Sequence, residues 1–315
     1  NCFDPTFQPT YKLNVNEFDL ADYLFAQVES QARTVAPERI AVVLSNSKYN
    51  FGLKGLDFLP HTLSIYLAAK VGVGCIPFSV SAACATGLLS VIKACELLER
   101  GVVDVALAGS IETSKVPFLE AAFLRMGVIS PRAVTAPFSR DRDGFVIGEG
   151  GGLFVLKRCD EIHQDSHGVI RGYAYGNDGY HPVDFEPSGR SIERIIRMTM
   201  NRLPVLDYIN AHGTATRLND AIEARVFNRV FSEGQRPYIT STKAYTGHLL
   251  GATGSIELGL CLLSMKHRQF IPPKNCECPM PDIMPFQEMP PTLNQVLTLN
   301  YGFGGHLAAL MIARS

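Results

Sequence analysis

The residues Ile76–Leu98, IPFSVSAACATGLLSVIKACELL, constrain the fold more than any other stretch of the chain. They begin with the β-branched and aromatic residues of a buried strand and end with apolar residues at helical spacing. Between the two lies a turn of small residues that contains Cys84. This pattern predicts a strand that leads into a helix, with a cysteine at the helix N-terminus.

Cys84 at such a junction has two interpretations. The unpaired N–H groups at a helix N-terminus stabilise a thiolate, and small neighbours leave room for a substrate, which together predict a catalytic nucleophile. A free cysteine is also a common small residue of protein cores. Taken alone, this stretch leaves both interpretations open.

Further strand–turn–helix units follow along the chain. Val205–Asn210 is predicted as a strand that leads to His212, and Tyr238–Ser241 as a strand that leads to His248. Strands alternating with helices predict a parallel or mixed sheet covered by helices. Strand ends on one side of such a sheet converge, so Cys84, His212 and His248 are expected around one site. Taken singly, each histidine is better explained by a structural role, whereas the three residues together favour catalysis.

The 315 residues suffice for a single α/β unit with two similar halves. The N-terminal half is expected at about 38–175 and the C-terminal half at about 186–315. A formal net charge of −1 argues against nucleic acid or a membrane surface as a partner. No apolar run is long enough for a membrane span, and the eight cysteines lack disulfide or zinc spacing. We therefore expect a cytoplasmic protein with reduced thiols, no metal and no cofactor.

Four segments resemble the signatures of β-ketoacyl-ACP synthases, the condensing enzymes of the thiolase superfamily found in fatty-acid and type II polyketide synthesis. They are AACATGL around Cys84, NAHGTAT at 210–216, STKAYTGHLLGATG at 241–254 and YGFGGH at 301–306. The segments RDRDGFVIGEGGG at 140–152 and NDGYH at 177–181 also match in type and order. The resemblance covers roughly residues 75–315 and implies a thiolase-like layered αβαβα fold in a dimeric assembly.

The resemblance also implies a role for each reactive residue. Cys84 would accept an acyl chain from an acyl carrier protein as a thioester. His212 and His248 would donate hydrogen bonds to the malonyl thioester carbonyl and stabilise the enolate formed as carbon dioxide leaves, which requires neutral imidazoles. The backbone N–H groups of Cys84 and Phe303 would form the oxyanion hole. Glycines beside Phe303 would let its ring swing as a gate.

Five more positions match residues around the family's active site. Lys243 matches the lysine near the histidines, and Glu223 matches the acidic residue expected to supply its counter-charge. That ion pair is equally consistent with a structural and a catalytic role. Thr214 and Thr216 match threonines that bind the pantetheine arm, with ordinary turn hydroxyls as the alternative. Gly304 is expected to contact substrate.

The chain departs from the family pattern at a few positions. It carries Ala82, the segment Leu299-Asn300-Tyr301, and Leu307 where Thr, Asn-Ser-Phe and Asn are usual. These changes affect the hydrogen bonding around the reactive groups more than the groups themselves. The region before Cys84 is also short for the family, so either additional residues or a partner subunit would complete the pocket.

The expected activity is decarboxylative Claisen condensation of an acyl thioester on Cys84 with malonyl-ACP. A homodimer, or a heterodimer with a ketosynthase-like subunit, would carry it out. One alternative is a chain-length-factor-like partner subunit, a class that generally lacks the nucleophilic cysteine. A cysteine hydrolase would use Cys84 with one histidine, and it leaves the second histidine and the Phe303 loop unexplained. A biosynthetic thiolase would carry a second cysteine where this chain has Gly302-Phe303-Gly304.

Overall fold

The computed structural model describes residues 15–47, 61–113, 117–159, 166–201, 205–232, 236–286 and 288–315. The many turn-forming residues at 46–60 predict a turn-rich segment; most of that segment, and Cys2, lie outside these ranges. The helices are α1 (Glu17–Ala32), α2 (Thr62–Val71), α3 (Thr86–Glu99), α4 (Pro117–Arg125), α5 (Arg190–Met200), α6 (Arg217–Val230), α7 (Lys243–Thr246) and α8 (Thr253–His267). The strands are β1 (Ile40–Ser45), β2 (Ile76–Pro77), β3 (Val105–Glu112), β4 (Gly150–Lys157), β5 (Val169–Asn177), β6 (Tyr208–Asn210), β7 (Tyr238–Thr240), β8 (Gln295–Gly302) and β9 (His306–Ala313).

The strands form two mixed sheets. The first has the order β2-β1-β3-β4, in which β2 and β3 run parallel to β1 and β4 runs antiparallel to β3. The second has the order β7-β6-β8-β9-β5. There, β7 and β8 run parallel to β6, whereas β9 runs antiparallel to both β8 and β5. The central strands are buried along their whole length, as expected for strands covered by helices on both faces.

Helices occupy three layers around these sheets. Helices α3 and α8 pack against each other between the sheets, where α3 contacts β1, β3 and β9 and α8 contacts β4 and β8. Helices α1 and α2 cover the outer face of the first sheet, and α5 and α6 cover the second. The expected layered αβαβα architecture is confirmed.

The two halves repeat the same topology. The strands β2-β1-β3-β4 of the first sheet correspond to β7-β6-β8-β9 of the second. Corresponding strands follow each other in the same order along the chain and run in the same relative directions. A short 3₁₀ turn precedes α3 in one half and α8 in the other. Most of strand β5 lies within residues 38–175, the range expected for the N-terminal half, but β5 pairs with β9 in the second sheet. The boundary between the halves therefore lies before Val169.

Three further properties concern possible partners. No helix in the described ranges is long and apolar enough to cross a membrane. The cysteines that the structure describes are all free. Within the same residues, no group of three or more His, Cys, Asp or Glu side chains is placed to hold a metal ion.

Candidate active site

Cys84 lies in the 3₁₀ turn Ala83–Ala85, directly before the first residue of α3. Ala83 has a φ of 47°, a left-handed conformation that is uncommon for a residue with a Cβ. The Thr86 hydroxyl accepts the N–H of Ala82 at 3.0 Å and donates to the carbonyl of Ala83 at 2.7 Å. These two hydrogen bonds hold the strained turn, so the structure places Cys84 at a helix N-terminus as the sequence predicts.

The environment of Cys84 sets the charge of its sulfur. The residue is 8% exposed, and burial raises the pKa of its thiol to about 12. The positive charge of Lys243 opposes this rise, whereas Glu112 and Glu257 add to it. The resting group at neutral pH is therefore a thiol and not the stabilised thiolate expected from the sequence. The N-terminus of α3 acts on the negative charge that develops when the sulfur reacts.

Backbone N–H groups determine the tautomer of both histidines. His212 follows β6, and its Nδ1 accepts the N–H of Tyr301 at 3.3 Å. His248 follows α7, and its Nδ1 accepts the N–H of Leu250 at 3.2 Å, with the hydroxyl of Thr253 at 3.0 Å. A ring nitrogen that accepts an N–H carries no proton of its own. Each neutral ring therefore carries its proton on Nε2 and donates from that atom.

Both imidazoles are neutral. Burial lowers the pKa of His212 and of His248 well below the usual value of a histidine, and the charge of Lys243 lowers both further. The ring centroids lie 5.7 Å apart, and the rings are almost perpendicular. The site thus holds two neighbouring, neutral hydrogen-bond donors, as the sequence-based mechanism requires.

The end of β8 joins the cysteine turn to the histidines. A Cβ on Gly302 would lie 2.6 Å from the carbonyl oxygen of Ala82 and 3.0 Å from the backbone nitrogen of Cys84. Only glycine lets the strand pass this close to the turn. The preceding residue, Tyr301, donates its N–H to His212 and places its ring 5.1 Å from the imidazole. Residues from both halves of the chain therefore meet at one place.

Phe303 begins the three-residue loop between β8 and β9. Its half-buried ring lies 6.2 Å, between centroids, from Phe123 of α4. Gly304 and Gly305 follow with φ angles of 81° and 75°, which glycine adopts without strain. Gly304 is exposed, donates its N–H to the carbonyl of Pro182 at 2.7 Å, and accepts from the Asn177 amide at 2.5 Å. The NDGYH segment thus contacts the Phe303 loop directly.

Lys243 has a different partner from the one expected. Its Nζ lies 2.8 Å from a carboxylate oxygen of Glu257, and both side chains are fully buried. The expectation that Glu223 is this partner is wrong. The two carboxylate oxygens of Glu223 instead accept the backbone N–H groups of His212 at 3.0 Å and Gly213 at 2.7 Å. Helix α6 places Glu223 beneath the His212 turn, whereas α8 brings Glu257 to the lysine. Glu257 is the one acidic residue of α8, and its place among apolar residues of that helix was the available signal for this pair.

Thr214 and Thr216 lie in the turn between β6 and α6. Their hydroxyl oxygens are 2.9 Å apart; Thr214 is buried and Thr216 is half-buried. Ala215 between them has a φ of 61°, and its N–H is held by a carboxylate oxygen of Asp220 at 3.2 Å. This hydrogen bond stabilises the turn, which carries the two hydroxyls two and four residues after His212.

Two family descriptions match most of the chain. "Beta-ketoacyl synthase, N-terminal domain" matches residues 30–161, and "Beta-ketoacyl synthase, C-terminal domain" matches residues 167–277. The first match carries Cys84 and the second carries both histidines.

Individual relatives agree with these matches. The ketoacyl synthase alpha subunit of the tetracenomycin polyketide synthase of Streptomyces glaucescens is 33% identical over 276 residues, which cover 82% of this chain and 64% of that subunit. The 3-oxoacyl-[acyl-carrier-protein] synthase 2 of Staphylococcus aureus is 31% identical over 271 residues, which cover 81% of this chain and 66% of that synthase. The chain thus spans about two thirds or less of the length of these relatives.

A solved structure shares the fold. It is a type II polyketide ketosynthase in complex with its acyl-carrier protein and bound to a hexaketide. It is 25% identical to this chain with a TM-score of 0.81, and the similarity covers 95% of this chain and 83% of the other.

Proposed function

The chain belongs to the β-ketoacyl synthase family, and from that membership we propose that it condenses an acyl thioester on Cys84 with malonyl-ACP, releasing carbon dioxide. The observation that carries the proposal is the pair of neutral histidines whose Nδ1 atoms are both occupied by backbone N–H groups. Two fixed Nε2–H donors suit a reaction that develops one negative oxygen.

The first step is acyl transfer. The sulfur of Cys84 attacks the thioester carbonyl of the acyl carrier, a new C–S bond forms, and the carrier's C–S bond breaks. His212 and His248 hold their protons on Nε2 and accept on Nδ1, so neither has a free lone pair to act as a base. The thiol proton therefore passes to the departing thiolate of the carrier. The backbone N–H groups of Cys84 and Phe303 are proposed to bind the transient oxyanion.

The second step joins the two carbon chains. His212 and His248 donate to the thioester oxygen of malonyl-ACP and stabilise the enolate as the C–C bond to carbon dioxide breaks. The enolate carbon then attacks the acyl carbonyl on Cys84, the new C–C bond forms, and the C–S bond breaks. The sulfur leaves as a thiolate and takes a proton from solvent, which restores the resting thiol.

The remaining residues support these steps. Lys243 lowers the pKa of both histidines and of Cys84, so its proposed role is electrostatic. Phe303 is proposed as the gate between acyl and malonyl sites, and Gly304 as the hinge next to it. Thr214 and Thr216 are proposed to bind the pantetheine arm, since their paired hydroxyls lie in the turn that follows His212.

The proposed partners are an acyl carrier protein and a second ketosynthase-like subunit. The similar polyketide ketosynthase of known structure is bound to its carrier protein, and the tetracenomycin relative is described as an alpha subunit. A homodimer and a heterodimer both fit the proposal. A chain-length-factor role is not favoured, because Cys84 and both histidines are present together.

Single histidine substitutions test the proposal. His212→Asn and His248→Asn each remove one donor to the enolate, so decarboxylation of malonyl-ACP should fall about 100-fold. Transfer of an acyl group to Cys84 should fall much less, because the histidines are not its base. His267→Asn, at an exposed histidine of α8, is the matched control and should leave both rates unchanged. Undiminished decarboxylation by either active-site variant would disprove the assignment.

A further inference from the structure

Residues 142–148, RDGFVIG, supply none of the groups that act on substrate in the proposed reaction. This stretch, the clamp segment, nevertheless contacts the active site at both of its ends. The first end bonds to the turn that carries Thr214 and Thr216, and the second end bonds to His248. The clamp segment therefore joins two parts of the site that lie on different elements.

The first end of the clamp segment holds the threonine turn by its backbone carbonyls. The guanidinium of Arg142 donates from Nε to the carbonyl of Thr216 at 3.2 Å and from Nη2 to the carbonyl of Arg217 at 2.8 Å. The N–H of Gly144 donates to the carbonyl of Ala215 at 2.9 Å. Three successive carbonyls of the turn are thus bound to one segment.

The Arg142 side chain is itself fixed in place. Only 8% of the residue is exposed, and its Nη1 donates to the carbonyl of Ser139 at 2.9 Å. The carboxylate of Asp220, which accepts the N–H of Ala215, lies 3.8 Å from Nε. A planar guanidinium directs its donors to several fixed acceptors at once, whereas the ammonium of a lysine is a single point charge. The threonine turn therefore depends on the guanidinium and not only on its charge.

The second end of the clamp segment holds His248. The N–H of His248 donates to the carbonyl of Val146 at 2.7 Å, and its carbonyl accepts the N–H of Gly148 at 2.9 Å. The ring of Phe145 lies 4.8 Å, between centroids, from the imidazole. None of these contacts involves the side chain of Arg142. Seven consecutive residues thus set the position of the threonine turn relative to His248.

We propose that Arg142 is a positioning residue for the pantetheine arm of the substrate. It holds the Thr214 and Thr216 hydroxyls at a fixed place relative to His248, so that an arm bound to them brings its thioester oxygen to the histidine. This inference rests on the proposed function, because it takes the two threonines as the groups that bind the arm. The arm does not react, so its contacts are equally strong in the ground state and the transition state. Loss of such contacts raises KM and leaves kcat unchanged.

The test uses decarboxylation of malonyl-pantetheine, which has the arm but no carrier protein. Arg142→Lys should raise the KM about tenfold, as expected when one hydrogen bond to substrate is lost, with kcat per titrated Cys84 thiol unchanged. A purely structural role would reduce the amount of active enzyme and leave KM as it is. If Arg142→Lys does not fold, Arg142→Gln, which keeps one amide donor, carries the same prediction.

The matched control is Arg33→Lys. The guanidinium of Arg33 also donates to two backbone carbonyls, those of Val71 and Lys70, at 2.7 and 2.6 Å, but it does so in the outer helical layer of the first sheet. This variant should keep the KM of the wild type. An unchanged KM in the Arg142 variant, or an equal rise in the control, would overturn the inference.

A double-mutant cycle tests whether Arg142 acts through the threonine turn. Thr216→Val removes one hydroxyl and should raise the KM for malonyl-pantetheine by itself. In Arg142→Lys/Thr216→Val the two effects should combine to much less than their product, because both disturb the same contact with the arm. Effects that multiply would show that Arg142 acts elsewhere, and the inference would fail.

A binding measurement separates this inference from the proposed function. Isothermal titration calorimetry of the Cys84→Ala enzyme with acetyl-pantetheine, which has no carboxylate to lose, needs no turnover. Adding Arg142→Lys should weaken this binding about tenfold. If binding depends on Arg142 but the wild-type enzyme condenses nothing, the proposed function fails and the positioning role stands. If the wild-type enzyme condenses and binding is independent of Arg142, the positioning role fails.

Discussion

Removing the charge of Lys243 should destabilise the protein severely. Lys243 and Glu257 are both fully buried and 2.8 Å apart. The substitution Lys243→Met leaves the Glu257 carboxylate buried without a cation, and breaking a buried pair in this way costs about 3–5 kcal/mol. The free energy of unfolding of a native protein is only about 5–15 kcal/mol. We therefore expect a large fall in the urea midpoint and a Tm lower by roughly 5–10 °C.

The pH dependence of the Lys243→Met defect identifies its cause. Burial raises the pKa of Glu257, and without Lys243 the opposing effect is lost. A carboxyl whose folded pKa lies above its unfolded value, near 4.3, stabilises the fold at low pH, and this contribution is lost as pH rises through the folded pKa. The loss amounts to about 1.4 kcal/mol for each pH unit that separates the folded pKa from the unfolded one. The variant's deficit should therefore be larger at pH 8 than at pH 5.5.

A second substitution supplies the control. In Lys243→Met/Glu257→Gln the buried charge is gone, and the glutamine can still accept from Asn300, which contacts Glu257 at 2.7 Å. The double variant should recover most of the lost free energy of unfolding, measured by urea denaturation. A single variant that loses less than about 1 kcal/mol would refute the reasoning, as would a double variant no more stable than the single one.

Three further predictions concern the reactive groups. Gly302→Ala places a Cβ 2.6 Å from the carbonyl oxygen of Ala82 in the cysteine turn, so the rate of acyl transfer should fall more than tenfold. The control is Gly259→Ala, where the nearest atom to the new Cβ is 3.9 Å away, and this variant should keep full activity. Glu223→Gln replaces one of the two oxygens that accept backbone N–H groups. It should therefore lower the free energy of unfolding by about 1–3 kcal/mol and also lower the rate of condensation. An unchanged Tm in scanning calorimetry would contradict this prediction. Because burial lowers the pKa of His212 and His248, their ¹⁵N shifts should report neutral rings with the proton on Nε2 down to pH 6, and a transition near pH 6.5 would be inconsistent with it.

Local patterns in the sequence were enough to predict the strand–turn–helix around Cys84 and the α/β architecture. The small residues before α3 and the apolar spacing within it are local signals, and they need no knowledge of distant contacts. Helix ends were less accurate. The sequence pattern alone predicts a helix over residues 20–32. Helix α1 instead begins at Glu17, because the Asn16 side chain caps it by accepting the N–H of Asp19 at 2.9 Å. The apolar spacing that follows Ser188 predicts a helix from Ser188 to Arg202, whereas α5 begins at Arg190, after Gly189 with a φ of 68°.

The pairings between distant segments could not be predicted in the same way. Whether Lys243 meets Glu223 or Glu257 depends on how α6 and α8 approach α7, and the residue types fit both. Strand β5 belongs to the second sheet because it pairs with β9, which lies more than 125 residues later in the chain. The tautomers of the histidines follow from backbone N–H groups of Tyr301 and Leu250, whose directions are set only in the folded chain.

The most direct measurement is intact-protein and peptide mass spectrometry of the enzyme loaded by an acyl carrier protein. The proposed chemistry predicts one acyl group, located on the peptide that contains Cys84. On addition of malonyl-ACP the label should leave the enzyme and be found in a β-ketoacyl carrier, with one carbon dioxide released for each product. An acyl group on another residue, or condensation at the wild-type rate by Cys84→Ala, would contradict the assignment of the nucleophile.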